Sequence, residues 1–280
     1  MLLKNTCSHL VKINELWYDL SNKQKNNFCK ERFPKIMPTL MDLLEAGVHF
    51  GHKKERSNPK MKDYTFSLRE GVFIIDLDKT KDLLEGALKF LKQEIEAGKI
   101  VLFVGTKRQA KDVIKSTAEA AGMPYINHRW LGGTLTNYET VRRSITEMER
   151  LENQIVAPEF AAITKKERKL MTDRLEKLRS VFGGVKDMKK LPDLLFVIDA
   201  HHEQLAIDEA SRIGIPVIAI ADTDANPEKI GHIIPANDDA AKSIDLIMKE
   251  VNEIVGVKKQ VKTEKKSEEK ETKKADKEDK

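Results

Sequence analysis

Ile100-Val101-Leu102-Phe103-Val104-Gly105-Thr106-Lys107-Arg108 is the stretch on which the fold turns. An unbroken apolar run that stops at a glycine describes a strand covered on both faces, because a strand with one wet face would alternate. A helical pattern follows from Gln109 to about Ala121. The same grammar returns downstream: Leu194 to Ile198 ends at Asp199, Pro216 to Ala221 ends at Asp222, and a shorter Ile230 to Ile234 is closed by Pro235. Helices are expected between them over 203–213 and again from Asp238 or Asp239. Strands alternating with helices specify the α/β class and a doubly wound, mainly parallel sheet of Rossmann or flavodoxin-like type.

Upstream, Thr39 opens a short helix with Leu40, Leu43 and Leu44 on one face. Residues 65–68 and 72–75 read as a hairpin, and 78–97 as a helix whose inner stripe is Leu83, Leu84, Ala87, Leu88, Leu91 and Ile95. Downstream, Pro124-Tyr125-Ile126 is a short strand leading into Asn127-His128-Arg129-Trp130-Leu131-Gly132-Gly133-Thr134-Leu135-Thr136-Asn137. Thr136 or Asn137 can cap a long helix carrying Val141, Ile145, Met148, Leu151 and Ile155. Thr164 and Glu167 form a capping-box pattern for another, carrying Met171, Leu175, Leu178 and Phe182. Steps of three and four are a coiled-coil seam rather than a broad core face. The expectation is therefore an antiparallel helical hairpin, 135–184, inserted into a body formed by 37–134 and 185–256.

Charge is distributed unevenly. The net +5 resolves into +4 over 1–36, +7 over 37–190, −9 over 191–256 and +3 over 257–280. A polyanion would be met by the basic part, since phosphate neutralisation needs local Lys and Arg, while the acidic part should face solvent, cations or a basic protein. Residues 1–36 are polar and Asn/Lys-rich, an expected disordered extension or a start assigned ahead of Met37; 257–280 is Lys/Glu low complexity, expected to be disordered. Cys7 and Cys29 are the only cysteines, too few for a disulfide framework or a Cys-based zinc site. No apolar run reaches membrane-spanning length and 1–20 lacks the apolar core of a signal peptide, so a cytoplasmic setting is expected.

The candidate sites follow from position. Gly105-Thr106-Lys107-Arg108, a turn between strand and helix, is an anion site on first principles. It admits two readings, a backbone phosphate of RNA or the sugar phosphate or nucleotide of a Rossmann-like enzyme, although neither common Gly-rich phosphate fingerprint is present. His49 and His52 lie beside a basic loop of Lys53, Lys54, Arg56, Asn58 and Lys60 and suit phosphate contacts better than metal ligation. Within 127–137, His128 and Arg129 are expected to face outward, Trp130 to anchor the loop and Gly132-Gly133 to shape it, as Gly105 shapes its own turn. Asn137, Arg142, Arg143, Lys165 and Lys166 complete the polar contacts of the joint and the arm. Asp199, His201, His202 and Asp222 are weak candidates for metal ligands, set against a plainer role as turn formers and exposed polar residues; no metal or other cofactor is expected.

Taken together, Gly-Val-His-Phe-Gly-His at 47–52, Asn58-Pro59-Lys60-Met61, Phe103-Val104-Gly105-Thr106-Lys107-Arg108, Asn127 to Gly133 with Leu135-Thr136-Asn137, Gly183-Gly184 followed by Lys186-Asp187-Met188, Leu191-Pro192-Asp193 and Ile233 to Asp239 closely resemble the bacterial-type small-subunit ribosomal protein S2 family, over about 39–255. The resemblance implies an α/β body with a protruding coiled-coil hairpin and a structural, non-catalytic role. It also implies binding to small-subunit rRNA and contact with neighbouring ribosomal proteins, including the large one built from repeated OB-folds. No homo-oligomer is implied.

Overall fold

The computed structural model describes residues 37–158, 160 and 164–256. The expectations for 1–36 and 257–280 lie outside the described residues.

The N-terminal part of the body is small and antiparallel. Helix α1 (Leu40–Glu45) starts in a capping box between Thr39 and Asp42. Only Leu43 of its expected face is buried, while Leu40 and Leu44 are exposed. Strands β1 (Phe50–Lys53), β2 (Thr65–Arg69) and β3 (Val72–Ile75) form a three-stranded sheet in the order β1-β3-β2. The hairpin β2–β3 was legible in the sequence; β1 was not, since Phe50-Gly51-His52-Lys53 has no apolar alternation and becomes a strand by pairing with β3.

The rest follows the α/β rhythm. Helix α2 (Leu77–Glu96) is capped by Asp76, whose carboxylate accepts from the amides of Asp78 and Lys79, and it buries Leu84, Ala87, Leu88, Leu91 and Ile95. Then come β4 (Val101–Val104), α3 (Lys111–Ala121), β5 (Tyr125–Ile126), α4 (Tyr138–Val156), α5 (Lys165–Phe182), β6 (Leu194–Ile198), α6 (Gln204–Ile213), β7 (Val217–Ala221), β8 (His232–Pro235) and a last helix α7 over 241–256. The main sheet has the order β5-β4-β6-β7-β8, and every neighbouring pair in it is parallel. Every residue of β4, β6 and β7 is buried, as their unbroken apolar runs require. The chain is of the α/β, doubly wound type, with helices flanking a parallel sheet.

Helices α4 and α5 both fall in the connection between β5 and β6 and pack on one another. Thr164 and Glu167 make the capping box at the start of α5. The apolar faces of the pair do not form a separate core. Val141, Ile145, Met148, Leu151, Leu175 and Phe182 belong to the same buried cluster as Leu102 and Val104 of β4 and Trp130 of the preceding loop. The root of the pair is thus part of the body. No helix among the described residues is long and apolar enough to cross a membrane.

Candidate nucleic-acid interface

All five strands of the main sheet run the same way, so the turns after them leave from one end. Strand order reverses between β4 and β6, which makes the turns at 105–108 and 199–203 the topological switch point, where open α/β sheets take their ligands. Here the chain fills that crevice itself. Lys107 Nζ lies 3.1 Å from Asp199 Oδ2, 2.7 Å from Asp238 Oδ1 and 2.7 Å from Asp239 Oδ1. Thr106 is buried; its amide donates to Glu203 Oε1 at 3.0 Å and its hydroxyl to the same oxygen. The Gly105 amide donates to the Ile126 carbonyl at 3.0 Å, and those of Ala110 and Lys111 to the Lys107 carbonyl at 2.9 and 3.1 Å. The amides an anion would need are largely in use, and the ammonium faces carboxylates. Thr106 and Lys107 are thus bonded to carboxylates of the chain itself, and the turn shows no built cradle for an enzyme's nucleotide. Arg108 is the turn's one exposed cation.

His52 closes the other side of the cluster. Its Nδ1 is 3.0 Å from Asp222 Oδ2, and its Nε2 is 3.8 Å from Asp224 Oδ2 and 3.5 Å from Asp239 Oδ2. The loop carrying it is stitched to the strand ends: the His52 amide donates to Thr223 Oγ1 at 2.8 Å and the Asn58 amide to the Thr223 carbonyl at 2.8 Å. The Asn58 carboxamide caps the turn Pro59–Tyr64 by accepting from the Lys60 amide at 3.0 Å. The hydrogen bond to Asp222 raises the His52 pKa to about 9 against the opposing effect of burial. Burial, with Asp199 and Asp222 beside it, pushes the Asp238 carboxyl up to about 8.

Both shifts act with the same sign. A His whose folded pKa exceeds its unfolded value of about 6.5 adds stability that is full below that value and lost as pH rises through the folded one. A carboxyl that keeps its proton when folded also favours the fold at lower pH. Thermal unfolding is therefore expected to show stability falling between about pH 6.5 and 9, by about 3 kcal/mol from His52 alone. His52→Gln should flatten that slope and lower the melting temperature near pH 6.5. A wild-type profile flat across the window would refute the pairing.

Among the described residues no group of three or more His, Cys, Asp or Glu is disposed to hold a metal ion. Asp199 and Asp222 are engaged by Lys107 and His52, and His201 and His202 are exposed. Asp199 adopts a left-handed backbone, φ 68°, which Asp tolerates better than most residues. Its Oδ1 accepts from the His202 amide at 2.8 Å while Oδ2 faces Lys107. Part of the acidic segment faces cations of the fold itself, Asp199 toward Lys107 and Asp222 toward His52. Asp199, Glu203, Glu209, Asp222, Asp238 and Glu250 are all buried.

The loop 127–137 is organised by a residue that the sequence did not flag. Glu209 of α6 is 3% exposed and accepts from the Trp130 indole N–H at 3.1 Å and from the amides of Gly133 at 2.8 Å, Leu135 at 3.0 Å and Thr136 at 3.1 Å. The Thr136 hydroxyl donates to it at 3.2 Å. Burial raises its pKa, but the donors outweigh that and hold it below the usual glutamate value. Trp130 is buried, His128 and Arg129 are exposed, and Gly133 sits at φ 90°, a conformation open to glycine and strained for other residues. The one signal for Glu209 was its place beside the inward-facing Ala206 and Ala210 of α6, where a carboxylate must find donors.

The cations left over lie outside this cluster. Lys53, Lys54, Arg108, Arg129, Arg143, Lys165 and Lys166 are exposed and have no ion-paired or hydrogen-bonded side chain among the described residues. Lys60 pairs with Glu228 at 2.7 Å. Arg56 is exposed, Arg142 and His49 are half-buried, and exposed Asn137 accepts from the Thr140 hydroxyl at 3.0 Å. Arg108, His128 and Arg129 follow β4 and β5 at the carboxyl end of the parallel sheet, and the loop carrying Lys53, Lys54 and Arg56 is tied to that end at His52 and Asn58 through Thr223.

These features define an α/β body whose switch-point crevice carries internal ion pairs. Comparison with known proteins points the same way. A family model described as ribosomal protein S2 matches residues 43–257. A small ribosomal subunit protein uS2 of Francisella philomiragia is 49% identical over 219 residues, 78% of this chain and 92% of that one. Proteins of the same name from Helicobacter hepaticus and Geotalea uraniireducens are 47% and 48% identical, over 78% and 76% of this chain and 83% of each relative. The chain belongs to the ribosomal protein S2 family, and its role is structural rather than enzymatic.

Proposed function

We propose that this chain is a structural component of the small ribosomal subunit that holds rRNA through phosphate and shape contacts. The observation that carries the reading is the row of exposed cations at one end of the sheet, beside a crevice closed to small ligands. Phosphate contacts position a protein on structured RNA, whose deep groove offers side chains few base edges. Lys53, Lys54, Arg56, Arg108, His128 and Arg129 form one contact surface. Residues 135–184 act as an antiparallel coiled-coil arm that carries Arg142, Arg143, Lys165 and Lys166 to a second. Family resemblance supports neighbouring small-subunit proteins as further partners, including the large OB-fold-repeat protein.

Binding of the full chain to small-subunit rRNA is expected to fall steeply with salt. Replacing Lys53, Lys54, Arg56 and Lys60 together by Ala should lower the log–log slope by roughly 0.7–0.9 for each phosphate no longer neutralised, about 3–4 if all four are engaged. Co-sedimentation with small subunits should weaken in parallel. Association that survives this replacement with an unchanged slope would make the chain a protein-docking scaffold instead.

A further inference from the structure

A second polar concavity lies at the outer edge of the main sheet, away from the sealed crevice. It is a cavity of about 290 Å³ between the start of α3, the edge strand β5 and the end of α5. Lys111 and Lys115 line it from α3, Tyr125, Asn127 and His128 from the edge strand and its exit, and Arg179 from α5. Lys111 and Lys115 stand one helical turn apart, on the same face. Neither side chain has a hydrogen-bonded or ion-paired partner among the described residues. Arg179 uses its Nε on Glu152 at 2.7 Å, which orients the guanidinium and leaves its terminal amino groups for a second acceptor. Against these three cations the lining holds one carboxylate, Asp112.

The cavity also has a floor. A Cβ on Gly184 would collide first with the Tyr125 carbonyl oxygen and then stand 2.8 Å from the ring at Cδ2, so only glycine lets the chain press against that residue. Tyr125 is held further by its hydroxyl, which donates to Glu119 at 3.1 Å. The Asn127 amide nitrogen donates to the Lys111 carbonyl at 3.3 Å, which leaves its carbonyl oxygen free to accept. An aromatic ring fixed in place, an amide with an open acceptor and a cluster of cations are the parts that hold a base and its phosphate. The volume falls just under the roughly 300–1,000 Å³ of drug-sized pockets, a scale for one nucleotide rather than an extended cofactor.

We propose that the cavity bounded by Lys111, Lys115, Tyr125, Asn127 and Arg179 receives a single unpaired nucleotide of RNA, its phosphate against the lysines and Arg179 and its base against Tyr125 and Asn127. The inference rests on the rRNA-binding reading and adds a site that reads a base, where the rim reads only phosphates. The same chemistry could come from a free nucleotide, so the test separates the two.

Fluorescence anisotropy would compare the full chain binding an eight-residue oligouridylate with its binding of the abasic ribose-phosphate octamer of equal charge, with AMP as competitor. The expected result is at least tenfold tighter binding of the base-bearing oligomer, displaced by AMP only at millimolar concentration. Ser180→Trp, which fills the cavity from an exposed position, should erase the base preference and leave abasic binding unchanged. Lys111→Ala with Lys115→Ala should weaken both oligomers. Unchanged thermal melting would show that these variants fold. Equal affinity for the two octamers, or a preference that survives Ser180→Trp, would overturn the pocket while leaving rRNA binding intact. Micromolar AMP binding would assign the cavity to free nucleotides and overturn it too. Failure of the wild type to bind either octamer or small-subunit rRNA would overturn the underlying reading as well.

Discussion

Glu209→Ala is expected to destabilise the protein by about 3–5 kcal/mol, more than any other single truncation of a charged side chain outside the Lys107 cluster. The carboxylate is the acceptor for the Trp130 indole and for the amides of Gly133, Leu135 and Thr136. Its removal leaves the Trp130 and Leu135 donors buried and those of Gly133 and Thr136 part-buried beside a cavity, and each unsatisfied buried donor costs about 1–3 kcal/mol. Glu209→Gln keeps the shape but turns one end of the group into a donor facing donors, so it should recover only part of the loss. The pH dependence gives a second check. The folded pKa lies below the usual value, so the contribution is full above about pH 4.3 and disappears as pH falls through the folded value. Denaturant unfolding at pH 7, followed down in pH through the folded value, tests both. A loss under 1 kcal/mol at pH 7, or one that does not shrink in acid, would remove Glu209 from its organising role. Because the loop it holds leads directly into α4, the alanine variant should also lose small-subunit association before the body itself unfolds.

The residues that were legible in the sequence and those that were not differ in the range over which their partners lie. Val101 to Val104, Leu194 to Ile198 and Val217 to Ala221 announced themselves because a strand covered on both faces needs no partner's identity to be recognised, only an unbroken apolar run between turns. Thr164 and Glu167 were equally readable, since a capping box is a contact over three residues. Lys107 was not. Whether a lysine after a strand reaches out to phosphate or in to carboxylate depends on Asp199 and Asp238, about a hundred residues away, and on the strand order that brings them to one crevice. Glu209 was hidden for the same reason, as its donors lie more than seventy residues upstream. The charge of −9 over 191–256 is plain in the sequence but its direction is not, because composition records the carboxylates and not the cations folded against them. The cavity lined by Tyr125 was invisible too, since its walls come from α3, β5 and α5.

Lys107→Met is the sharper test of that inward turn, since the two roles open to this lysine predict opposite outcomes. The ammonium stands among Asp199, Asp238 and Asp239, and Asp238 is 1% exposed. Removing it strands buried carboxylates without a counter-charge, a change that costs about 3–5 kcal/mol. Asp238, already pushed up to about 8, holds its proton below that pH, which leaves less charge stranded there. Destabilisation should therefore be greatest at pH 9 and smaller at pH 6, and adding Asp238→Asn to Lys107→Met should return a substantial part of the loss, the coupling that a double-mutant cycle measures. On the RNA side the expectation is null. At pH 6 and low temperature, where the variant is folded, the salt slope for rRNA binding should match the wild type, whereas Arg108→Ala should lower it by roughly 0.7–0.9. A Lys107→Met protein of wild-type stability whose salt slope falls by that amount would place the lysine on a phosphate and reopen the crevice as a binding site. With stability lost and slope kept, the strand-end cluster is the internal ion core of the fold, and recognition belongs to the cations on its rim.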